Sequence, residues 1–477
     1  MRVTEFGKSL RAITTPIPGL VVWELAVHGD NRGWFKENWQ REKMVALGLP
    51  DFKPVQNNVS FNEAVGTTRG VHAEPWDKFS SVAAGRVFGA WVDLREGPTF
   101  GTTYTTEIDP SRAVFVPRGV GNAFQTLEPN SVYTYLVNDH YSPDGEYTSL
   151  NLADETVAIS WPIPLERAVL SEKDRGHPRL TEVSPVPARK TLVLGAGGQL
   201  GRALRELYAG TPQVEFVDVD EIDLSGRDIE TARRWRDYET IINAAAYTAV
   251  DTAETPEGRA VAWAVNVAGV ASLARIATEH NITLVHISSE YVFDGCASTP
   301  YLEDEPVSPL SVYGQTKAAG DQIVATVDQH YIVRTSWVIG DGNNFVRTML
   351  SLAERGVNPG VVNDQRGRLT FTSELARAIR HLLDIRAPYG TYNVTGSGAV
   401  TSWADVARRT FELAGHDPGR ITDVTTEQYF ADATKLVAPR PANSVLDLAK
   451  IQSVGFEPPD ADASLVNYIR RESIETP

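Results

Sequence analysis

A glycine-rich segment, LVLGAGGQLG at residues 192–201, limits the possible fold more than any other part of the sequence. An apolar segment runs into Gly195, Gly198 and Gly201, a spacing typical of a loop that joins a strand to a helix around a dinucleotide. An ordinary strand-to-helix turn gives a similar pattern. However, Asp218 ends the next apolar segment, where an acidic side chain can bind a ribose. The sequence therefore predicts a dinucleotide-binding domain that begins with this segment.

The glycine loop lies far from the start of a chain of 477 residues, which is too long for one ordinary core. A segment with two prolines, TEVSPVPARK, precedes the loop and is the best candidate for a linker. Before it, short strand-like segments alternate with turns such as EGPTFG and SPDG, which is typical of an all-β sandwich or barrel. After it, strand and helix patterns alternate, which predicts a parallel sheet wound with helices. The predicted boundaries are residues 1–182 for the first domain, 183–190 for the linker and 191–477 for the second domain.

The composition argues against several classes of protein. A formal net charge of −16 disfavours nonspecific nucleic-acid binding, because an acidic surface repels phosphate. No continuous apolar run approaches the roughly 20 residues that span a bilayer, and the N-terminus lacks the apolar segment of a secretory signal. The single cysteine, Cys296, excludes a disulfide within the chain. We therefore expect a cytoplasmic protein with no nucleic-acid or membrane partner.

A tyrosine and a lysine, Tyr313 and Lys317, are four residues apart and would share one face of a helix. The lysine ammonium would favour the phenolate and lower the pKa of the tyrosine. Such a phenol can pass a proton to a carbonyl oxygen near neutral pH. Ser288 and Ser289 end an apolar strand, at the edge of the sheet where ligands bind. A surface Tyr–Lys pair is the alternative interpretation of this spacing taken alone.

The second domain resembles the extended short-chain dehydrogenase/reductase family, and within it the dTDP-4-dehydrorhamnose reductases. The resemblance runs from about residue 192 to 447 and is carried, in family order, by GAGGQLG, INAAAYTAVDTAE, HISSEYVFDG, YGQTKAAG, RTSWVIG, NFVRTML, DQRGR and RPANSVLD. It implies a Rossmann-type doubly wound α/β domain with a small C-terminal substrate subdomain. It also implies NADH or NADPH as the cofactor.

The resemblance implies a role for individual residues of this domain. Tyr313 would donate the proton. Lys317 would adjust the pKa of Tyr313 and orient the cofactor ribose, and Ser289 would hydrogen-bond the substrate carbonyl. Trp337 and Val250 would contact the substrate. The carboxylate of Asp218 would repel the 2′-phosphate of NADPH, and the next residue is a valine where an arginine would favour NADPH. The sequence therefore favours NADH, with NADPH also allowed. The implied cofactor-binding residues, besides Tyr313 and Lys317, are Gly195, Gly198, Gln199, Leu200, Gly201, Asp218, Asp223, Leu224, Ala244 and Ala245.

His72, in the segment TTRGVHAEPWDKF, is the first candidate for chemistry in the first domain. Metal-binding β-barrels often present two histidines one residue apart on a strand. Here Ala73 and Glu74 follow His72, so a metal site would have to use a His–Glu pair. A buried structural histidine is the other simple interpretation.

The neighbourhood of His72 supports a third interpretation, because the first domain resembles the dTDP-4-dehydrorhamnose 3,5-epimerases. These are cupin-like jelly rolls that use no metal, so no metal ligand is expected. The resemblance spans about residues 15–175 and is carried by DNRGWFKENW, QNNVS, TRGVH, WVDLREGPTFG, YLVNDHY, DETVAISWP and LSEKD, together with Lys78.

Proton removal next to a ketone needs a base whose pKa is near the working pH, and histidine suits that task. The resemblance implies that His72 is this base and that Asp154 is its carboxylate partner. Lys78 would stabilise the enolate oxygen, and Tyr135 would return a proton from the opposite face. The implied substrate contacts are Arg32 and Arg69 for the pyrophosphate, and Gln56, Asn58 and Glu37 for the nucleotide.

Several positions depart from the two families. Asn122 and Ala123 replace a His-Gly pair, so Asn122 can hydrogen-bond the substrate but cannot titrate. Glu74 stands where a glutamine is common, Glu290 replaces an aspartate, and Leu369 replaces a proline. For the first domain, these departures leave open an active epimerase or a weak domain that binds or channels the sugar nucleotide.

The two resemblances together imply a bifunctional enzyme that acts on a dTDP-sugar. A ketone at C4 acidifies the protons at C3 and C5, which the first domain would invert, and the same ketone would accept hydride in the second domain. The implied product is dTDP-L-rhamnose, with its 6-deoxy-L-talose epimer as an alternative. A non-catalytic NAD(P)-binding regulatory subunit is the alternative from another class. A homodimer through the N-terminal β domain is expected by resemblance.

Overall fold

A computed structural model describes residues 7–141, 147–431, 433 and 436–475. The chain divides into two compact units, Met1–Ala188 and Arg189–Pro477. The division falls inside the predicted linker, but Val186 still belongs to the first unit because its backbone hydrogen-bonds to Leu94 and Glu96. The turn predicted at SPDG, residues 142–145, lies outside the described residues.

Two antiparallel sheets form the first unit, with strand orders β1-β2-β10-β7-β12-β5 and β13-β6-β11-β8-β9. A separate hairpin, β3–β4, follows the second strand. The strands are β1 Arg11–Thr14, β2 Val21–Glu24, β3 Val27–Asp30, β4 Gly33–Lys36, β5 Gln56–Asn62, β6 Thr68–Ala73, β7 Lys78–Ala84, β8 Val87–Asp93, β9 Thr103–Ile108, β10 Arg112–Val116, β11 Val120–Thr126, β12 Ser131–Val137 and β13 Thr148–Ser149. Two short helices accompany them, α1 Arg41–Ala46 and α2 Glu172–Arg175.

The core of the first unit lies between its two sheets. Successive side chains of a strand point to opposite faces, so the inward-facing positions of both sheets meet in one layer. Val22 and Val114 come from one sheet, Trp91 and Phe124 come from the other, and all four belong to the same buried cluster. The predicted jelly-roll-like architecture is confirmed.

The second unit is built on a parallel sheet with strand order β15-β14-β16-β17-β18-β23. The strands of this unit are β14 Lys190–Leu194, β15 Val214–Val217, β16 Tyr238–Asn243, β17 Thr283–Ser289, β18 His330–Thr335, β19 Val338–Ile339, β20 Gly360–Val362, β21 Arg366–Gly367, β22 Thr370–Phe371, β23 Gly390–Asn393, β24 Thr401–Ser402 and β25 Thr422–Val424. Its helices are α3 Gln199–Leu207, α4 Pro256–Trp263, α5 Val270–His280, α6 Val312–Val324, α7 Phe345–Glu354, α8 Thr372–Asp384, α9 Trp403–Leu413, α10 Thr426–Phe430, α11 Ala449–Ser453 and α12 Ala461–Glu475.

The strand order reverses at β14, whose neighbours in the parallel sheet are β15 on one side and β16 on the other. In open α/β sheets, ligands bind beyond the carboxyl ends of the strands at such a switch point. Buried residues cover both faces of the sheet, with Leu192 and Leu284 in one cluster and Val193 and Val285 in another. The predicted doubly wound fold is confirmed, and the site should lie where β14, β16 and β17 end.

Helices α4 and α5 are joined by a π-helical segment, Ala264–Gly269, into one continuous helix. This helix, Pro256–His280, is long and apolar enough to cross a membrane by length and composition alone. Its apolar side packs on the sheet, where Leu273 and Ile276 are buried beside Leu284. The apolar composition therefore has a structural explanation within the core.

The C-terminal part of the second unit forms a smaller cluster of its own. Helices α7, α9 and α12 pack around Trp337, Phe371 and Leu465. Helix α9 begins with a capping box in which Ser402 and Asp405 satisfy each other's backbone N–H groups. This cluster corresponds to the expected substrate subdomain, and it brings Trp337 to the edge of the main sheet.

Candidate active sites

The glycine loop of the second unit joins β14 to α3 and shows why glycine is needed there. Gly195 has a φ of +78°, and a Cβ atom at this position would lie 2.7 Å from the backbone nitrogen of Ala245. A Cβ atom on Gly201 would lie 2.2 Å from the carbonyl oxygen of Gly195, so the helix packs directly on the loop. Asp218 accepts a hydrogen bond from the N–H of Gly197 at 2.7 Å. The loop and the acidic residue are thus held together, as dinucleotide binding requires.

A cavity of about 610 Å³ opens at the carboxyl ends of the strands, beside this loop. Its volume and its glycine-rich wall fit a dinucleotide. Every residue predicted for the second-domain site lines this cavity except Gly201, which packs behind it. The predicted residues that line it are Gly195, Gly198, Gln199, Leu200, Asp218, Asp223, Leu224, Ala244, Ala245, Val250, Ser289, Tyr313, Lys317 and Trp337.

Tyr313 and Lys317 lie on α6 and Ser289 ends β17, so the three candidates meet in one cavity. Ser289 Oγ is 2.6 Å from a carboxylate oxygen of Glu290. Lys317 Nζ donates a hydrogen bond to the carbonyl oxygen of Ile287 at 2.6 Å. The cavity therefore collects a hydroxyl, a phenol and an ammonium group.

The expected direction of the Tyr313 pKa is wrong in this arrangement. Burial, followed by the nearby Glu290 carboxylate, raises the pKa of Tyr313. Burial also raises the pKa of Glu290 to about 7 and lowers the pKa of Lys317 to about 8.

Trp337 is buried at the opposite wall of the cavity, where its ring stacks on Trp403 with centroids 3.8 Å apart. A stacked pair of indoles gives that wall a flat and rigid apolar surface. This is the arrangement expected for a residue that packs against a sugar.

In the first unit, His72 on β6 is bonded to a carboxylate that the sequence did not assign to it. His72 Nε2 lies 3.1 Å from Asp174 Oδ1, on helix α2. Burial alone would raise the pKa of Asp174, but the hydrogen bond from His72 and the charges of His72 and His177 outweigh it, so the pKa is lowered. Asp174 is therefore an ionised partner that can fix the imidazole and stabilise its protonated form.

The predicted pairing of His72 with Asp154 is wrong. Asp154 accepts hydrogen bonds from the backbone N–H groups of Thr156, Val157 and Leu180, at 2.9, 3.0 and 2.7 Å. These bonds hold a loop and use both carboxylate oxygens. Asp174 closes the segment LSEKD, which was part of the resemblance, so a signal for the correct carboxylate was present in the sequence.

Lys78 and Tyr135 lie together on the neighbouring strands β7 and β12. Lys78 Nζ is 4.8 Å from the centre of the Tyr135 ring and 2.8 Å from a carboxylate oxygen of Glu74. Glu74, noted as a departure from the family, is thus the ion-pair partner of a lysine that is only 4% exposed. The ion pair therefore lies beside a phenol.

Asn122 lies opposite His72 in the antiparallel pair β11–β6. Its side-chain oxygen accepts a hydrogen bond from the Tyr133 hydroxyl at 3.1 Å. The position that carries a histidine in the family is therefore next to the base here, but it holds a side chain that cannot titrate.

The predicted substrate contacts of the first unit fall into two groups. Asn58 and Gln56 lie on β5 beside Tyr135 and Val137 of β12, so they are close to the candidate acid. Arg69, on β6, donates a hydrogen bond from Nε to the side-chain oxygen of Asn62, the last residue of β5, at 3.1 Å. Arg32 and Glu37 lie elsewhere, with Arg32 bonded to Asp30 and Glu37 to Lys43. A cavity of about 280 Å³ adjoins Glu37 and is not lined by His72.

Three side chains of the first unit bring together nitrogen and oxygen atoms of the kind that coordinate a divalent cation. One ligand-type atom from each of His72, Asp174 and His177 lies within 4.8 Å of the others. The expectation that the domain uses no metal remains a prediction from the resemblance.

Comparisons with known proteins match both units. The family model of dTDP-4-dehydrorhamnose 3,5-epimerase matches residues 14–182, and the family model described as RmlD substrate binding domain matches residues 189–474. The chain is 52% identical over 177 residues to a protein named RmlC homolog from Streptococcus pyogenes serotype M6, which covers 36% of this chain and 89% of that protein. This chain is therefore a member of both families.

The reductase half has relatives of nearly full length. A dTDP-4-dehydrorhamnose reductase from Aggregatibacter actinomycetemcomitans is 39% identical over 298 residues, which covers 58% of this chain and 97% of that protein. A solved dTDP-4-dehydrorhamnose reductase from Bacillus anthracis, in complex with NADP, has a TM-score of 0.54 and 29% identity and covers 60% of this chain and 99% of that chain. The predicted fusion of an epimerase domain with a reductase domain is confirmed.

Proposed function

We propose that this chain catalyses two consecutive steps, the 3,5-epimerisation of dTDP-4-dehydro-6-deoxy-D-glucose and the reduction of its C4 ketone to give dTDP-L-rhamnose. The observation that carries the proposal is the presence, in one chain, of a His–Asp pair in the epimerase unit and a Ser–Tyr–Lys set around a dinucleotide-sized cavity in the reductase unit. Each set supplies the groups that its own step requires.

In the first step, His72 removes a proton from a carbon beside the ketone. Asp174 holds the ring and stabilises the imidazolium that forms. Lys78, held by Glu74, stabilises the enolate oxygen as negative charge develops. Tyr135, next to Lys78, returns a proton to the opposite face of the carbon and thereby inverts it. Asn122 serves as a hydrogen-bonding contact beside His72.

In the second step, Ser289 hydrogen-bonds the C4 carbonyl and Tyr313 gives its proton to the oxygen. Lys317 offers a positive charge next to both the phenol and the ribose site. The glycine loop, with no room for Cβ atoms at Gly195 and Gly201, fits the pyrophosphate of a nicotinamide dinucleotide. When bound, that cofactor supplies the hydride that reduces C4.

The cofactor class is NAD(P)H, and within it we propose a preference for NADH. Asp218 sits beside the N–H of Gly197 in the cavity wall, where its carboxylate would accept bonds from ribose hydroxyls and repel a 2′-phosphate. The relative solved with NADP keeps NADPH as the second candidate. Reduction rates with both cofactors at equal concentrations test this preference.

The assembly we propose is a homodimer through the β unit. The outer strand β5 carries the exposed apolar side chains of Val59 and Phe61, and exposed Val55 directly precedes it. A partner could cover these three side chains. Sedimentation of the full chain, compared with a Val59→Lys variant, tests this assembly.

The deciding experiment supplies the dTDP-sugar substrate, NADH or NADPH, and D₂O as solvent. Cofactor oxidation together with deuterium at both C3 and C5 of a rhamnose product supports two working sites. Oxidation that needs a separate epimerase would show that the first unit is weak and would implicate Asn122. A 6-deoxy-L-talose product would assign hydride delivery to the other face. The absence of oxidation under every condition would reject the proposal and favour a non-catalytic NAD(P)-binding subunit.

A further inference from the structure

One histidine of the reductase unit is fully enclosed beside the catalytic lysine. His286 lies on β17, three residues before Ser289, and is 1% exposed. Its Nε2 atom is 3.3 Å from Lys317 Nζ, and its Nδ1 atom is 3.2 Å from the side-chain amide of Asn243 on the adjacent strand β16. Each ring nitrogen of this buried histidine has a partner. These two contacts determine which nitrogen carries the ring proton.

Helix α6 is shaped to admit this contact. A Cβ atom on Gly320, one turn after Lys317, would lie 3.4 Å from His286 Nε2 and 2.8 Å from the backbone oxygen of Asn266. The glycine therefore lets the helix approach the imidazole closely. This close approach keeps Lys317 Nζ within reach of β17.

The hydrogen-bonding capacity of Lys317 explains what this contact does. An ammonium group has three N–H donors. One donates to the carbonyl oxygen of Ile287 at 2.6 Å, and a second faces His286 Nε2. The third is left for the cavity, which Lys317 lines and where the cofactor ribose and Tyr313 would meet it.

We propose that His286 is a positioning residue for the reductase step: its neutral imidazole accepts a hydrogen bond from Lys317 at Nε2 and so fixes the direction of the ammonium and keeps it charged. This inference rests on the proposed reductase function of the second unit. The ring proton then lies on Nδ1, which faces the amide nitrogen of Asn243 at 3.2 Å. A half-turn of that amide presents its oxygen to the proton and gives up the 3.2 Å hydrogen bond that the oxygen accepts from the Ala245 N–H.

The charged groups around the contact support a neutral imidazole. Burial, followed by the charge of Lys317, lowers the pKa of His286 well below its ordinary value. The next charged pair is Asp321 of α6 with Arg334 of β18, joined at 3.0 Å. The Asp321 carboxylate also raises the pKa of Lys317 against the lowering by burial, so it acts in the same direction as the imidazole acceptor. Tyr313 and Glu290 line the same cavity as the lysine. Hence His286 accepts from Lys317 without adding a second positive charge.

The test compares two substitutions of this histidine. His286→Phe keeps a flat ring and removes the acceptor, whereas His286→Gln can place an amide oxygen near the position of Nε2. For His286→Phe we expect kcat/KM for ketone reduction to fall about tenfold or more, as for the loss of one charge-assisted hydrogen bond. We also expect the alkaline limb of its pH profile to move to lower pH, because a buried ammonium without its acceptor loses its proton more readily. His286→Gln should restore most of both.

A matched control is His381→Phe, since His381 on α8 is also hydrogen-bonded, at 2.9 Å to the carbonyl oxygen of Val454, but does not line the cavity. Its reduction kinetics should match those of the unaltered chain. Unchanged kinetics and an unchanged pH profile in His286→Phe would overturn the proposal. Equal damage from Phe and Gln would also overturn it, because it would assign His286 a purely structural role.

A measurement on the unaltered chain covers the case in which His286→Phe does not fold. Histidine labelled with ¹⁵N reports the tautomer of each ring, and His286 is assigned by the signal that disappears in His286→Gln. A neutral ring protonated on Nδ1 is expected. An imidazolium, or a ring protonated on Nε2, would refute the proposal. This result needs no sugar substrate, so a failure of the proposed enzymatic function would be seen separately in the assay.

Discussion

At the scale of single residues, the contacts of two buried aspartates of the epimerase unit, Asp154 and Asp174, assign them different roles. Asp174 contacts the candidate base, whereas Asp154 binds three backbone N–H groups. We predict that Asp174→Asn lowers epimerisation by about 10²-fold or more with a small effect on folding, because the imidazolium loses its ionised partner. Deuterium exchange into the sugar at C3 and C5 measures this loss.

Asp154→Asn is the matched control for that substitution. It should lower the melting temperature, because an amide cannot accept all of the bonds that the carboxylate accepts, and the folded fraction should retain most of its activity. The opposite pattern, with Asp154→Asn inactive at full stability and Asp174→Asn active, would restore the original pairing of His72 with Asp154.

Glu290 provides a prediction about pH. Burial raises the pKa of this carboxyl from 4.5 to about 7. The folded state therefore holds the proton more tightly than the unfolded state does, so its stabilising contribution is complete below pH 4.5 and is lost as the pH rises through about 7. Relative to Glu290→Gln, which cannot ionise, the second unit should lose about 3 kcal/mol of unfolding free energy between pH 4.5 and about pH 8. Hydrogen exchange of β17 in the full chain measures the difference, and parallel pH profiles of the two proteins would contradict it.

At the scale of elements, the contact between the glycine loop and α3 determines whether a dinucleotide can bind. A Cβ atom on Gly201 would lie 2.2 Å from the Gly195 carbonyl oxygen. Gly201→Ala should therefore push the helix away from the loop, cost about 1–3 kcal/mol of stability and weaken NADH binding measured by cofactor fluorescence. Glu206→Ala, an exposed change on the same helix, should have little effect on either property. Unchanged NADH affinity in Gly201→Ala would show that this packing does not control the cofactor site.

The elements themselves follow closely from local sequence patterns. The alternating segments of the first unit form strands, and the glycine segment joins β14 to α3 as predicted. Tyr313 and Lys317, which are four residues apart, lie on one helix, α6, as their spacing predicted. These features depend on neighbours within a few residues, where periodicity and backbone freedom act directly. The linker was less predictable, because Val186 is held through backbone hydrogen bonds by Leu94 and Glu96, which lie ninety or more positions earlier.

At the scale of the whole molecule, the proposal of two independent sites in one chain predicts complementation. His72→Asn should stop epimerisation and Tyr313→Phe should stop reduction, each by about 10²–10⁴-fold. A mixture of the two variants should form rhamnose again, because each variant retains one intact unit and the sugar nucleotide can diffuse between chains. Tyr313→Phe should still bind NADH, which a fluorescence titration checks.

The outcomes of that mixing experiment separate the alternatives. A mixture as inactive as its components would mean that the intermediate must pass within one chain. Full activity of Tyr313→Phe alone would reject Tyr313 as the proton donor of the second unit. Product formation at a rate set by the slower unit would support two separate sites.

The sequence by itself determined the order of the two domains, their fold classes and half of the residues that line the dinucleotide cavity. It could do so because strand and helix periods, glycine spacing and family motifs are written in continuous segments. Only the tertiary structure decided which carboxylate meets His72, since Asp174 is 102 positions away, and which acceptor meets Lys317, since His286 is 31 positions away. It also decided the direction of the Tyr313 pKa shift, because burial and the nearby Glu290 carboxylate arise only when β17 and α6 pack together. Local pattern specifies each element, whereas the packing of distant elements specifies their chemistry.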